Sequence, residues 1–264
     1  MNIGVCGIGG RMGVSVLLKL LERGHKLVAA FDRDDAPSFG CDAGTLIHRE
    51  NMNVAVTGIS GDAVGASEGI IDFSSPAATM MLLSAARAKR TSLVIGTTGF
   101  SPEERADIER AARDIPIIFS PNMSLGVNLL FKLTEVAARA LTSEYDVEIF
   151  EAHHRFKKDA PSGTARRLLE IVKSGMRGLG NAREVFGREG ITGERTRDEI
   201  GVMAMRGGDI VGEHTVFFTG IGERIELTHR AASREILAAG AVAAAEFLSG
   251  RPAGLYSMYD VLGF

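Results

Sequence analysis

The chain has 264 residues, 45% of them hydrophobic, and a formal net charge of −3, so it can build one large domain or two smaller ones and carries no global basic field for duplex nucleic acid. Cys6 and Cys41 show neither C-x-x-C nor metal-ligand spacing and read as reduced thiols. No apolar run approaches the roughly twenty residues that span a bilayer, and Met1 leads into a strand-like run without a leader pattern, so a cytoplasmic protein with no membrane partner is expected.

Apolar runs at Ile3 to Cys6, Leu27 to Phe31, Gly69 to Phe73, Leu93 to Ile95 and Ile115 to Phe119 read as buried strands. Val14, Leu17, Leu18 and Leu21 share one helical face after the first, and Pro76 and Pro102 open two further helices where a missing N–H costs little. Strand and helix alternating at this rhythm predict an α/β fold with a parallel sheet covered on both faces. The run Gly7-Ile8-Gly9-Gly10-Arg11-Met12-Gly13 follows the first strand and opens the first helix, where backbone amides can hold a pyrophosphate. Asp32, at the end of the second strand, stands where a ribose-binding acid belongs, so a Rossmann-like doubly wound sheet binding a dinucleotide is expected. Asp32 favours NADH, whereas Arg33 can pair with a 2′-phosphate and favours NADPH; Arg33 can equally pair with Asp32, Asp34 or Asp35 at the surface. Gly96-Thr97-Thr98-Gly99 and Ser120-Pro121-Asn122-Met123 fall where loops at the carboxyl ends of sheet strands should line the nicotinamide side, or serve only as turns.

Beyond Asn122 the pattern changes: a long helical run from Leu125 to Leu141 precedes a strand in which Val147, Ile149 and Glu151 alternate with Glu148, Phe150 and Ala152. Gly175 to Arg197 reads as a long loop. Ile200 to Met205, His214 to Thr219 and Arg224 to Thr228 read as three antiparallel strands, the last two joined through Gly220-Ile221-Gly222, giving an α+β second domain with an open mixed sheet. Ala231 to Leu248 is alanine-rich and helical and is expected to return to the first domain.

The most informative segment is Glu151-Ala152-His153-His154-Arg155-Phe156-Lys157-Lys158-Asp159-Ala160-Pro161-Ser162-Gly163-Thr164-Ala165. It places protonatable and cationic side chains just before a helix carried by Ala165, Leu168, Leu169 and Val172. Ser162 can cap that helix while the amides of Gly163 and Thr164 receive a carboxylate, so a small dicarboxylate substrate is expected. Lys157 and Arg155 can each bind a carboxylate, and an imidazole beside them is a credible proton donor because histidines titrate near neutrality. A solvated basic loop paired with Glu151 and Asp159 is the bland alternative. No metal site is expected, since adjacent residues of an extended chain face opposite sides. His25, His48, Met80, Met81, His214, His229 and Arg234 read as surface, core or strand residues without direct chemistry.

With these motifs in view, the whole chain resembles the 4-hydroxy-tetrahydrodipicolinate reductase (dihydrodipicolinate reductase) family of lysine and diaminopimelate biosynthesis. The resemblance is carried by the Gly7 to Gly13, Gly96 to Gly99, Ser120 to Met123 and Glu151 to Ala165 segments, and by Arg206 to His214 with Gly222-Glu223-Arg224. It implies a dinucleotide-binding domain at residues 1–124 and 235–264, and a substrate-binding and oligomerisation domain at 125–234 whose sheet builds a homotetramer. It further implies that the backbone of Gly7, Ile8, Gly9, Gly10, Arg11 and Met12 cradles the cofactor, that Asp32 and Arg33 handle the adenosine ribose, and that Gly96, Thr97, Thr98, Ser120, Pro121, Asn122 and Met123 line the nicotinamide side. His153 is implied as proton donor or acceptor, Lys157 as a second proton donor, and His154, Gly163 and Thr164 as the substrate-carboxylate site. Asp32 stands where the family often has Glu, which leaves NADH and NADPH both open. Competing readings are a dinucleotide-sensing regulator, though no basic helix-turn-helix face is visible, and another two-domain dehydrogenase, for which Cys6 and Cys41 are poor nucleophiles.

Overall fold

Ile70 and Ile71 are entirely shielded from solvent, and so are Ile3 and Val5 in the strand beside them, because each strand is sandwiched between helices and must be apolar on both sides. The computed structural model describes residues 1–264 as two compact units, Met1–Leu125 with Glu235–Phe264, and Gly126–Arg234.

In chain order the first unit begins β1 (Asn2–Cys6), α1 (Arg11–Glu22), β2 (Lys26–Phe31), β3 (Val56–Thr57), α2 (Gly61–Gly65), β4 (Gly69–Asp72), α3 (Pro76–Lys89), β5 (Ser92–Ile95), α4 (Pro102–Ala111) and β6 (Pro116–Phe119). The second holds most of α5 (Leu125–Ala140), then β7 (Asp146–His153), α6 (Gly163–Gly175), β8 (Arg183–Val185), β9 (Glu199–Arg206), β10 (Gly212–Gly220) and β11 (Glu223–Ala231). The chain ends with α7 (Glu235–Leu248), β12 (Gly254–Tyr256) and α8 (Met258–Leu262) in the first unit.

The first unit's seven strands lie in the order β12-β6-β5-β4-β1-β2-β3, and every pair is parallel. Successive strands run outward from β1 in one direction and from β4 in the other, so the order reverses between β1 and β4. The crevice of a doubly wound fold opens at the carboxyl ends of those two strands. Helix starts follow local chemistry: Ser75 caps α3 with Pro76 behind it, and Ser101 and Glu104 form a reciprocal capping box on α4. Val16, Leu17 and Leu20 of α1 share a core cluster with Ala238, Ala241, Val242 and Ala245 of α7, whose small side chains let the two helices approach closely.

The second unit's sheet has the order β11-β10-β7-β9-β8. It is mixed as expected, but its pairing corrects the expected antiparallel trio. β10 and β11 form an antiparallel hairpin, whereas β9 does not pair with β10; β7 lies between them, antiparallel to β10 and parallel to β9. A parallel return needs a long connection, and α6 with the segment after it supplies one. That segment is not all loop, because β8 adds a parallel edge strand to β9. The expected helix start at Ala231 is also corrected: Ala231 pairs with Gly212 at the end of β11, and α7 begins at Glu235. Ladder hydrogen bonds outweigh the helix preference of a single alanine. No helix is long and apolar enough to cross a membrane.

Candidate active site

In the first unit, β1 ends at Cys6 and the chain turns sharply at Gly7, whose φ of +76° is open to glycine. A Cβ on Gly7 would lie 2.5 Å from the Phe73 carbonyl oxygen, and one on Gly13 would overlap the Gly7 carbonyl oxygen, so only glycine lets α1 pack this closely on β1. Gly10 is the N-cap of α1 and offers no side-chain acceptor, which leaves the helix's positive end to be satisfied by something else. In front of it lies a cavity of about 770 Å³ lined by Gly7, Gly10, Asp32, Arg33, Phe73 and Ser74 among others.

Asp32 Oδ2 accepts from the Gly9 N–H at 2.8 Å and from Ser38 Oγ at 2.9 Å, and its Oδ1 accepts from the Arg33 N–H at 2.9 Å. The carboxylate is thereby fixed at the cavity wall. Arg33 pairs with Asp35 at 3.2 Å, the surface ion pair named as its alternative. Ile8 is fully buried and Met123 nearly so, so only their backbones can meet a ligand. Thr97 is buried and its Oγ1 accepts the Ser74 N–H at 2.9 Å, while the Gly96 N–H donates to the Asp72 carbonyl at 2.9 Å. Ser120 Oγ donates to the Asn122 carbonyl at 2.8 Å, which shapes that loop; Thr98 and Pro121 are exposed. Ser74 is a cavity residue that the sequence reading passed over, although its place at the carboxyl end of β4 was the available signal. Below it, Asp72 is fully buried and takes hydrogen bonds from Ser74 and Thr79; burial raises its pKa against those bonds. Burial, then the Asp72 charge, also pushes the Cys6 thiol well up, so it stays protonated and unreactive.

In the second unit, β7 delivers Glu151 and His153 to one face of the sheet, two residues apart. Glu151 is fully buried, its Oε2 bonded to His153 Nδ1 and its Oε1 accepting Arg206 Nη2 at 2.7 Å and the Ser162 N–H at 3.3 Å. Burial opposes its ionisation, but the bonds from His153 and Arg206 prevail and hold the carboxyl down at about 2. His214, opposite Glu151 on β10, packs edge-on to His153 with ring centres 5.2 Å apart, and its Nε2 lies 3.1 Å from Ser162 Oγ. Burial, then the nearness of His153, pushes His214 down to about 4 and keeps it neutral. His214 reads in the sequence as lacking direct chemistry and Arg206 carries only the resemblance, with no role at the site; neither stands next to His153 in the chain, and only strand pairing brings them there.

Ser162 caps α6, accepting the Ala165 N–H at 3.2 Å, so Gly163 and Thr164 occupy the first two helical positions, where N–H groups have no acceptor within the helix itself. Lys157 Nζ meets both Asp159 carboxylate oxygens, at 2.8 and 3.0 Å. His154 projects apart from His153: its Nδ1 is buried without a partner, and its Nε2 lies 3.5 Å from Arg234 Nη2. The ligand atoms of Glu151, His153 and His214 lie within 4.8 Å of one another, a convergence that weighing only chain neighbours overlooked. A divalent cation there would meet the Arg206 guanidinium on the same carboxylate, and like charge opposes it.

A doubly wound parallel sheet with a glycine turn, an uncapped helix start and a fixed acid at its crevice, joined to a unit bearing a protonatable cluster, defines a nicotinamide-dinucleotide-dependent oxidoreductase. The chain belongs to the dihydrodipicolinate reductase family: the family's N-terminal model matches residues 1–123 and its C-terminal model residues 126–262. Similar curated relatives are the 4-hydroxy-tetrahydrodipicolinate reductases of Aromatoleum aromaticum, 49% identical over all of this chain and 95% of the relative, and of Nitrosomonas europaea, 49% identical over all of this chain and 98% of the relative. Among solved structures, a dipicolinate-bound dihydrodipicolinate reductase from Paenisporosarcina superposes with a TM-score of 0.79 at 22% identity, covering 97% of each chain, which shows a shared fold.

Proposed function

We propose that the protein reduces 4-hydroxy-tetrahydrodipicolinate to tetrahydrodipicolinate in lysine and diaminopimelate biosynthesis, with hydride added at ring C4 and a proton at C3. The observation that carries this reading is the imidazole of His153, fixed by a buried carboxylate and followed closely by a helix start suited to a substrate carboxylate. Residues 1–124 with 235–264 are then the dinucleotide-binding domain, and residues 125–234 the substrate-binding domain.

The reduced nicotinamide supplies the hydride. Once the 4-hydroxyl has left as water, addition at C4 of the conjugated imine moves electrons toward the ring nitrogen and leaves C3 to be protonated. His153 or Lys157 delivers that proton. His154 with the Gly163 and Thr164 amides holds the carboxylates, and Lys157 offsets their charge by exchanging Asp159 for substrate. The turn from Gly7 to Gly10, whose N–H groups bond to Phe31, Asp32 and Gly7 itself, shapes the approach of the pyrophosphate, which the amides of Arg11 and Met12 at the start of α1 hold, and the loops Gly96 to Thr98 and Ser120 to Met123 line the nicotinamide side.

Both NADH and NADPH are accepted in this reading, because Asp32 offers an acceptor to a ribose hydroxyl while the exposed Arg33 can leave Asp35 for a 2′-phosphate. Asp32→Ala is expected to weaken NADH several-fold and leave NADPH within about twofold, read by calorimetry; equal losses for both would refute the assignment. A cytoplasmic homotetramer is part of the same reading; the exposed edge strand β11, which carries Ile225 among charged side chains, is the candidate contact, and solution mass by light scattering tests the assembly. The activity is checked by following nicotinamide absorbance with aspartate semialdehyde, pyruvate and the upstream synthase. Oxidation only in the complete mixture is expected, and none there would end the proposal.

A further inference from the structure

A carboxylate with no exposed surface is stable only where every charge-assisted bond to it is made, and those bonds around Glu151 run to the residues that handle protons. Its Oε2 takes the Nδ1 side of His153, and its Oε1 takes Arg206 Nη2 at 2.7 Å. Opposite the imidazole stands Gly212, where a Cβ would come within 3.1 Å of His153 Nε2, so the absence of a side chain leaves that nitrogen room. Arg206 does more than neutralise. The same Nη2 donates to the Asp159 carbonyl at 2.7 Å, and Nη1 donates to the Met205 carbonyl at 2.7 Å. Asp159 in turn binds Lys157. One guanidinium therefore ties the imidazole's carboxylate to the loop that carries the ammonium.

We propose that Glu151 and Arg206 are the positioning pair of the reaction: Glu151 holds His153 with its proton on Nδ1 and Nε2 facing substrate, and Arg206 locks both Glu151 and the Lys157 loop in register. This rests on the reading of His153 as the group that exchanges a proton with substrate. The charged and titratable groups facing the pair are Lys157 and Asp159 from the loop after β7, His214 from β10 and Arg206 itself from β9, with the N–H end of α6 at Ser162 completing the shell. His214 is held neutral, so the Glu151 charge is what stabilises an imidazolium at His153, and Arg206 keeps that charge in place.

Nitrogen NMR of the histidine rings reads the tautomer in the wild-type enzyme and needs no variant. His153 carrying its neutral-form proton on Nδ1 is expected, and a proton resident on Nε2 would overturn the proposal. Glu151→Gln is expected to lower kcat about 100-fold with cofactor Kd unchanged, and to move the limb of the pH profile that reports imidazole protonation toward lower pH. In the His153→Gln background the same substitution should cost less than about twofold further, because the carboxylate acts through the ring; a second full loss there would show a merely structural role. Arg206→Lys, which keeps charge but not the two-way bridge, is expected to fall between wild type and Glu151→Gln, and wild-type turnover in it would remove Arg206 from the pair. If His153→Gln is slow while Glu151→Gln turns over normally, this inference fails and the function stands. If His153→Gln is itself normal, the proton-transfer reading fails first.

Discussion

Replacing His153 with Gln, or Lys157 with Ala, is expected to lower kcat by roughly 100- to 1,000-fold, the usual worth of a positioned general acid, while NADH binding by calorimetry stays within about twofold of wild type. The separation is expected because the residues proposed to hold the cofactor, Gly7 to Met12 and Asp32, belong to the first unit, whereas His153 and Lys157 belong to the second. Gln preserves much of the shape of the imidazole and can still donate to Glu151, but it cannot carry an exchangeable proton at neutral pH. Lys157→Ala removes a charge now shared with Asp159, so its KM for the dicarboxylate should rise as kcat falls, a split that His153→Gln should show less. Normal turnover in both variants would remove the catalytic assignment.

The second large effect concerns acid stability. His214 is 4% exposed and lies at about 4 in the folded protein, against about 6.5 for an ordinary imidazole. Above pH 6.5 it is neutral whether folded or unfolded and contributes no pH dependence. Between pH 6.5 and 4 the unfolded chain takes up a proton that the folded protein refuses, so stability falls as pH falls, by on the order of 3 kcal/mol for a shift of this size. His214→Gln can keep a bond to Ser162 and has no such proton. Urea unfolding at pH 7 and pH 4 should therefore show a smaller acid loss in the variant than in wild type, the difference approaching that figure. Parallel losses in the two proteins would mean that burial does not hold His214 neutral.

Much of the fold was legible because its signals are local. The runs that became β1 and β5 are apolar from Ile3 to Cys6 and from Leu93 to Ile95, and β4 is apolar up to Asp72 at its carboxyl end, since both faces of a central parallel strand are covered. Pro76 and Pro102 marked the starts of α3 and α4, to which the structure adds the caps Ser75 and Ser101, and Ser162 caps α6 through its own hydroxyl, as its position before Gly163 suggested. What was illegible is long-range. The apolar run of β9 is the same whether its neighbour is β10 or β7, and only the crossover through α6 chooses β7. By local pattern Glu151 fits a surface partner of the basic loop, yet it is buried beneath His153, because alternation along β7 says which residues share a face but not which face is covered.

By itself, the amino-acid order determined the alternating strands and helices of the nucleotide unit, the glycine turn at Gly7, and the cluster of basic groups ahead of a capped helix. All of these are set by residues within a turn or two of each other. The tertiary structure alone decided that Arg206 and His214 join His153 and Glu151, since strand pairing brings together residues far apart in the chain, and the burial that follows holds Glu151 charged and His214 neutral.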